Sequence, residues 1–389
     1  MKLNINNPPI TIAKIITLAF LLVFANSAFA QTDSTQTDRT AKKPATNSFS
    51  KRGFAGAPYV RYEPETGWVG GLVGMYYFHL GPDTNDKRTR PSDVSAGASY
   101  SQLHQSSVGI NYDLYFTHDA YHLGGGFHYQ QVPLQFFGVG DHTPSNSIDD
   151  YTPLYRGLTF QLTKNLFRSR RGEGLNAGIE GEFRNDAVLK SDSGGLIATN
   201  RVPGARGGVT NGLGALVIYD TRDNTYSTHE GQYEDFEAEF YGHTLRSDYA
   251  ISRYRLDVRR FFPISDDQTI AAQFYGVISN GTVPFYMMDG LGGDQKVRGY
   301  YLLRFRDNDV GLLQAEWRFP IWWRFGGVIF ADGGEVGHTL SSFSIGGIHP
   351  SAGVGLRLLV VPAEHLNARL DYGIGTDSKE IYFSILEAF

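Results

Sequence analysis

The chain has no cysteine, which excludes disulfides, thiolate metal sites and a lipidated N-terminal cysteine. Long hydrophobic runs are nearly as scarce. Beyond residue 24 nothing approaches the ~20 consecutive apolar residues that a membrane-spanning helix requires, and the mean hydropathy is slightly negative. Positive charge is not in surplus either: at a formal net charge of −5 there is no basic footprint for nucleic acid. Enzyme motifs are missing as well. The chain contains no G-x-S-x-G elbow, no P-loop and no H-E-x-x-H. Asp332-Gly333-Gly334 therefore lacks the serine such a triplet would serve. Ser191-Asp192-Ser193-Gly194-Gly195 sits in a long polar loop without an identifiable histidine or second acid, and reads as a flexible loop. No catalytic, cofactor-binding or metal-binding residue is expected.

What is present is aromatic and glycine-rich: 14% Phe, Tyr and Trp, with 46 glycines among 389 residues. That composition suits a transmembrane barrel, where only alternate residues meet lipid and aromatics gather at the interfaces; a soluble β-sandwich or propeller has it too. Lys2 and Lys14 precede the apolar run Ile15 to Phe24, and Ala28-Phe29-Ala30 supplies the small residues of a cleavage site, so 1–30 reads as an export signal. Residues 31–53, poor in apolar side chains, read as a disordered periplasmic tail. At about 23 residues the tail is too short to fold alone, since domains below ~40 need staples.

From residue 54 to 389 alternating segments and turn-rich stretches succeed one another, and sixteen strands fit. They begin with Ala57–Glu63 and end with Ile381–Phe389. Pro58 in the first strand cannot donate to a ladder, which makes the seam between first and last strands the expected weak point; a strand starting at Tyr59 is the other reading. In the ninth segment Asp235, Glu237 and Glu239 alternate with Phe236, Ala238 and Phe240. In the tenth Arg253, Arg255, Asp257 and Arg259 alternate with Tyr254, Leu256 and Val258. Three arginines on a lipid face would cost ~2–4 kcal/mol apiece near the midplane, so both charged rows are assigned to a lumen wall, paired across neighbouring strands. His122 and His128 fall on the inner face of one strand and read as lumen polars rather than metal ligands. Connections alternate short and long. With the C-terminus periplasmic, the long ones, including Gly281–Phe305, lie outside.

One of those long connections holds Gly292-Gly293-Asp294-Gln295-Lys296-Val297-Arg298-Gly299-Tyr300. Glycines on both sides permit sharp turns, Val297 needs a dry site, and Arg298 needs acids shaped to its planar fork. Downstream, Gln314-Ala315-Glu316-Trp317-Arg318-Phe319 and Phe330-Ala331-Asp332-Gly333-Gly334 supply two. In that order these three pieces resemble the BamA/TamA superfamily of bacterial surface-antigen barrels in a stand-alone form. The hairpin Tyr62-Glu63-Pro64-Glu65-Thr66-Gly67 and the turn Tyr219-Asp220-Thr221-Arg222-Asp223-Asn224 also look like turns of that family. The resemblance implies that the sixth extracellular loop reaches into the lumen. Arg298, with Gly299 and Tyr300, would be locked to Asp332 and Glu316, with Phe330 shielding the pair and Gly334 making room for it. The short tail leaves no expected place for the POTRA modules that precede many barrels of that family.

The expected fold is thus all-β: a 16-stranded antiparallel transmembrane β-barrel with an inward-folded extracellular loop. The expected setting is the outer membrane of a Gram-negative bacterium, among its lipids and lipopolysaccharide. The final aromatic, Phe389, resembles the signal read by the assembly machinery, although Glu387 interrupts the apolar face before it. The expected function is assistance in inserting or translocating proteins, or in lipid organisation, with a homodimer or accessory protein as the partner in view. The runner-up is a passive porin with a charged lumen, and the third reading an outer-membrane hydrolase with a non-contiguous site.

Overall fold

The computed structural model describes residues 52–80, 91–116, 118–146, 148–168, 174–362 and 365–389. The expected signal and all of the expected tail except Arg52 and Gly53 lie outside the described residues. From Arg52 onward the alternation of the sequence becomes a closed meander of sixteen strands in which every neighbour is antiparallel.

The wall begins with β1 (Arg52–Glu63), β2 (Gly67–Phe78), β3 (Ser92–Ser101), β4 (Ser106–Phe116) and β5 (Tyr121–Gln131). It continues through β6 (Asp149–Phe167), β7 (Gly174–Ser191), β8 (Gly208–Asp220), β9 (Gly231–Tyr241), β10 (Ile251–Ser265) and β11 (Gln268–Gly281). It closes with β12 (Asp309–Trp322), β13 (Phe325–Gly337), β14 (His349–Val361), β15 (Leu366–Ile374) and β16 (Lys379–Ile385). Two shorter ladders lie in the loops: Leu134–Phe136 on β6, and Asp289–Leu291 on Phe305–Asp307. Alternation sets the faces of the wall. Leu256 is 38% exposed outside while its neighbour Asp257 is 2% exposed inside.

Three boundaries differ from the sequence reading. Strands β6 and β7 rise well above the expected Leu154 and Arg184, with Tyr151 opposite Ser191. Pro153 is carried by a register shift after Thr152, a bulge being where a strand tolerates a residue without a donor. Second, β1 begins at Arg52 rather than Ala57; it runs through Pro58, opposite Leu72, as the expected strand from Ala57 did and the start at Tyr59 did not. Third, β16 stops at Ile385, not Phe389. Leu386 takes a left-handed backbone (φ 76°) and donates its N–H to the Asn367 carbonyl at 2.8 Å, which turns the last residues into the lumen. Glu387 therefore does not interrupt a lipid face. Its carboxylate accepts from Arg357 Nε at 2.6 Å and from Asn367 Nδ2 at 2.8 Å. Phe389 packs with Ala388 against Phe261 and Ala271, closing the inner end of the lumen.

The seam is thin. β1 registers with β2 at every position from Arg52 to Glu63, but with β16 only at Tyr62 opposite Phe383. At the other end, the long loops and the strand ends beneath them pack a core of their own around Phe136, Tyr151, Ile197, Phe285, Met287 and Met288. This cap had no counterpart in the alternation, because loop residues such as Ile197, Val283, Phe285, Met287 and Met288 join the strand ends Tyr151, Tyr241 and Ile251 in it.

Candidate functional site

The long connection between β11 and β12 folds back into the barrel, and its tip is held by side chains of β12, β13 and β15. Local sequence explains the path. Gly292, Gly293 and Gly299 have φ of 105°, 93° and 107°, and Val297, a β-branched residue, is held at 55°, a conformation that survives only where surroundings impose it. Those surroundings are apolar: Val297 is fully buried with Leu291, Tyr300, Phe305, Leu312 and Val336. Its N–H donates to Gln314 Oε1 at 2.9 Å.

Arg298 follows, fully buried. Its Nη1 donates to Glu316 Oε2 at 3.0 Å and to Asp371 Oδ2 at 3.4 Å. Nε and Nη2 reach the two oxygens of Asp332 at 3.2 and 3.3 Å, and the backbone N–H also donates to Asp332. Phe330 lies under the guanidinium, 3.6 Å from ring centroid to Cζ. Burial alone would lower the pKa of Arg298, but Asp332, Glu316 and Asp371 outweigh it and hold the group above its ordinary value. The tip is thus a buried cation among three acids on β12, β13 and β15.

Gly334 has a different part from the one the sequence suggested. A Cβ there would meet Leu291 Cδ2 at 2.7 Å and Leu312 Cβ at 2.8 Å, so it makes room for the inward loop's apolar hairpin and not for the ion pair. Gly299 allows backbone to approach backbone. A Cβ on it would lie 2.8 to 2.9 Å from main-chain atoms of Gly373, Ile374 and Gly375. Tyr300 caps the tip by donating from its hydroxyl to the Pro350 carbonyl at 2.8 Å and accepting from Thr376 N–H at 2.9 Å. Replacing Gly299 with valine adds both steric overlap and a left-handed β-branched residue, a destabilisation on the order of 3 kcal/mol. The expected outcome is a barrel whose inward loop becomes protease-sensitive, read by limited proteolysis beside wild type.

The sequence reading missed five participants: Asp371, Arg357, Arg369, Tyr382 and Arg318. Asp371 also accepts from Arg357 at 2.5 Å and from Arg369 at 2.9 Å. Arg369 returns to the inward loop, donating to Asp294 Oδ2 at 2.5 Å and to its carbonyl at 2.9 Å. Tyr382 of β16 holds the tip's main chain, accepting from Gly299 N–H at 3.1 Å and donating to the Tyr300 carbonyl at 2.8 Å. The signal was available: in Leu366-Asn-Ala-Arg-Leu-Asp-Tyr372, Arg369 and Asp371 share the face opposite Leu370. Arg318 carries the network to the inner end, pairing with Glu316 at 2.6 Å and donating to the Phe389 carbonyl at 3.0 Å.

The two charged rows face the lumen and meet in part. Arg253 pairs with Glu239 at 2.8 Å. Arg255 sits opposite Glu237 and also bonds Asp235 at 2.9 Å. Arg259 lies opposite Tyr233 and pairs within its own strand, with Asp257 at 2.6 Å, since that register sets Asp235 against Asp257. The rows are tied to the inward loop through Asp289, which binds Lys296 at 2.6 Å and Arg253 at 3.4 Å. These cations hold the Asp289 carboxyl well below the usual range against the opposing effect of burial. His122 bonds Asp113 at 2.7 Å, and no metal-ligating cluster occurs among the described residues.

Comparison with known proteins adds the following. A family model described as the Omp85 superfamily domain matches residues 90–389. The fold is similar to BamA from Haemophilus ducreyi, crystallised without POTRA domains 1–3, with a TM-score of 0.59 at 14% identity over 86% of this chain and 70% of that one. CdiB from Acinetobacter baumannii gives 0.56 at 14% identity, over 87% and 60%. CdiB from Escherichia coli gives 0.55 at 14%, over 86% and 62%. At such identity the likeness concerns the fold, and the chain spans less than two thirds of either CdiB. No curated protein sequence matches it.

Proposed function

The chain belongs to the Omp85 superfamily, and from that premise we propose that it assists the insertion or translocation of polypeptides, or the ordering of lipid, at the outer membrane of a Gram-negative bacterium, opening at the β1–β16 seam while the Arg298 lock holds the inward loop. It is a non-enzymatic role. The observation that carries the reading is the disparity in the wall: β16 meets β1 at one registered position, Tyr62 opposite Phe383, whereas β2 meets it along its length. Each unmade ladder bond leaves main-chain donors and acceptors that lipid cannot satisfy, so this edge is where an incoming strand gains most by pairing. A passive porin fits less well, because the Phe136 and Phe285 cap and the buried loop tip stand across the path a solute would take.

A chain without cysteine permits a clean test. Directly opposed antiparallel residues have Cα atoms about 4.5–5.5 Å apart, within disulfide range, so Tyr62→Cys with Phe383→Cys should staple the seam on oxidation. Liposomes containing the wild-type chain should accelerate insertion of an unfolded eight-stranded outer-membrane barrel diluted from urea. The oxidised double variant should lose that acceleration and regain it with reductant. Acceleration that survives the staple would sink the lateral-opening reading.

A further inference from the structure

Among the charged side chains lining one lumen cavity, Glu65 and Arg306 are buried, keep an unpartnered polar atom and make no ion pair among the described residues. Glu65, in the turn between β1 and β2, is 4% exposed, and its Oε2 has no hydrogen-bond partner. Its carbonyl accepts from Gln105 Nε2 at 2.7 Å. Arg306, in the short ladder of the inward loop, is 1% exposed, with Nε unpartnered and no carboxylate paired to it. Its Cζ lies 5.2 Å from the Phe136 ring centroid. The cavity measures about 410 Å³ and is also lined by Arg61, Ser101, Gln105 and Tyr155.

Other charges in this cavity are already compensated: Arg61 pairs with Glu63 at 2.6 Å, and Arg184 with Asp186 at 2.7 Å. Buried polar groups are normally satisfied, and each exception calls for a reason. A buried guanidinium without a carboxylate is among the more costly exceptions. Burial, with the Glu63 charge adding to it, pushes the Glu65 carboxyl up to about 8, so near neutral pH it is largely protonated and can both donate and accept. That leaves Arg306 as the one uncompensated charge. At roughly 30 Å³ per water, the space holds a solute of on the order of a dozen heavy atoms, too small for a lipid or a folded peptide.

We propose that this cavity binds a small hydroxylated monocarboxylate, of the size and chemistry of a sugar acid, with its carboxylate on Arg306 and a hydroxyl on Glu65. A carboxylate matches the planar fork of arginine with two parallel hydrogen bonds. The serine and glutamine side chains around it suit hydroxyls better than apolar atoms. The site is separate from the lock and does not depend on the insertion role.

The test is calorimetric titration of the purified full chain in detergent with glucuronate, gluconate and lactate, with glucose and sodium chloride as controls. Saturable binding is expected for glucuronate and none for glucose. Arg306→Gln should weaken it by about tenfold or more. Glu65→Leu should weaken it too, with Glu65→Gln restoring most of the loss. A second readout separates a ligand site from a structural cation: without ligand, Arg306→Met should resist heat at least as well as wild type, since it removes an unpaired buried charge. The proposal is overturned if none of the three acids binds the heat-resistant wild-type barrel. It is equally overturned if Arg306→Gln binds glucuronate as wild type does, or if Arg306→Met melts earlier in the absence of ligand.

Discussion

Arg298→Ala is expected to cost about 3–5 kcal/mol, the usual consequence of removing one member of a buried ion pair, and to open the lumen to ions. The partners show where that loss falls. Glu316 keeps Arg318, and Asp371 keeps Arg357 and Arg369. Asp332 has no ion pair other than Arg298 among the described residues, so the variant strands one buried carboxylate on β13. The wall retains its full set of ladders apart from the thin seam, so the barrel should still form while its resistance to heat in SDS falls. Two further results follow from the same picture. Adding Asp332→Asn to Arg298→Met should recover much of the loss, because contacting residues are not additive. In planar bilayers the wild type should pass small, fluctuating currents and Arg298→Ala large ones. Equal, steady currents in both would mean that the loop tip does not close the lumen.

The sequence made the wall legible because a barrel strand must alternate. Lipid on one side and a polar lumen on the other impose a period of two that glycines and loops interrupt without erasing. The charged rows were readable for the same reason, since arginines can occupy only one of those faces. The lock's acids were harder. Asp332 and Glu316 emerged because their motifs resemble those of known barrels, whereas Asp371, the third acid on Arg298, sits in an ordinary alternating segment. Its role depends on the tip of the inward loop reaching β15 across the lumen, a contact between residues 73 apart that periodicity cannot register. The end of β16 was misread because Phe389 continues the parity of Ile381, Phe383 and Ile385. A single left-handed residue, Leu386, reverses it, and a leucine gives no sign of adopting that backbone. The loop cap was missed because apolar side chains in loops such as Val283 to Met288 follow no period.

Asp371→Asn carries the second large effect, and comparison with Glu316→Gln gives it meaning. Asp371 is fully buried and accepts from Arg298, Arg357 and Arg369. Glu316 serves Arg298 and Arg318. Neutralising Asp371 leaves three guanidiniums around a carboxamide whose NH2 can only repel them. The remaining acids, Asp294, Glu387, Asp332 and Glu316, each hold only one of these three arginines, from outside the cluster's centre. The loss should again be about 3–5 kcal/mol and should exceed that of Glu316→Gln, measured as the temperature at which each variant loses its folded migration in SDS. The ranking decides the anatomy of the lock. If Asp371→Asn resists heat like wild type while Arg298→Ala does not, the tip is held by β12 and β13 alone and β15 is merely wall. If Asp371→Asn is the weaker barrel, the lock ties the tip to β15 as well as to β12 and β13. Release of the inward loop would then loosen the strand next to β16, coupling the loop tip to the seam through Arg369, Asp371 and Tyr382.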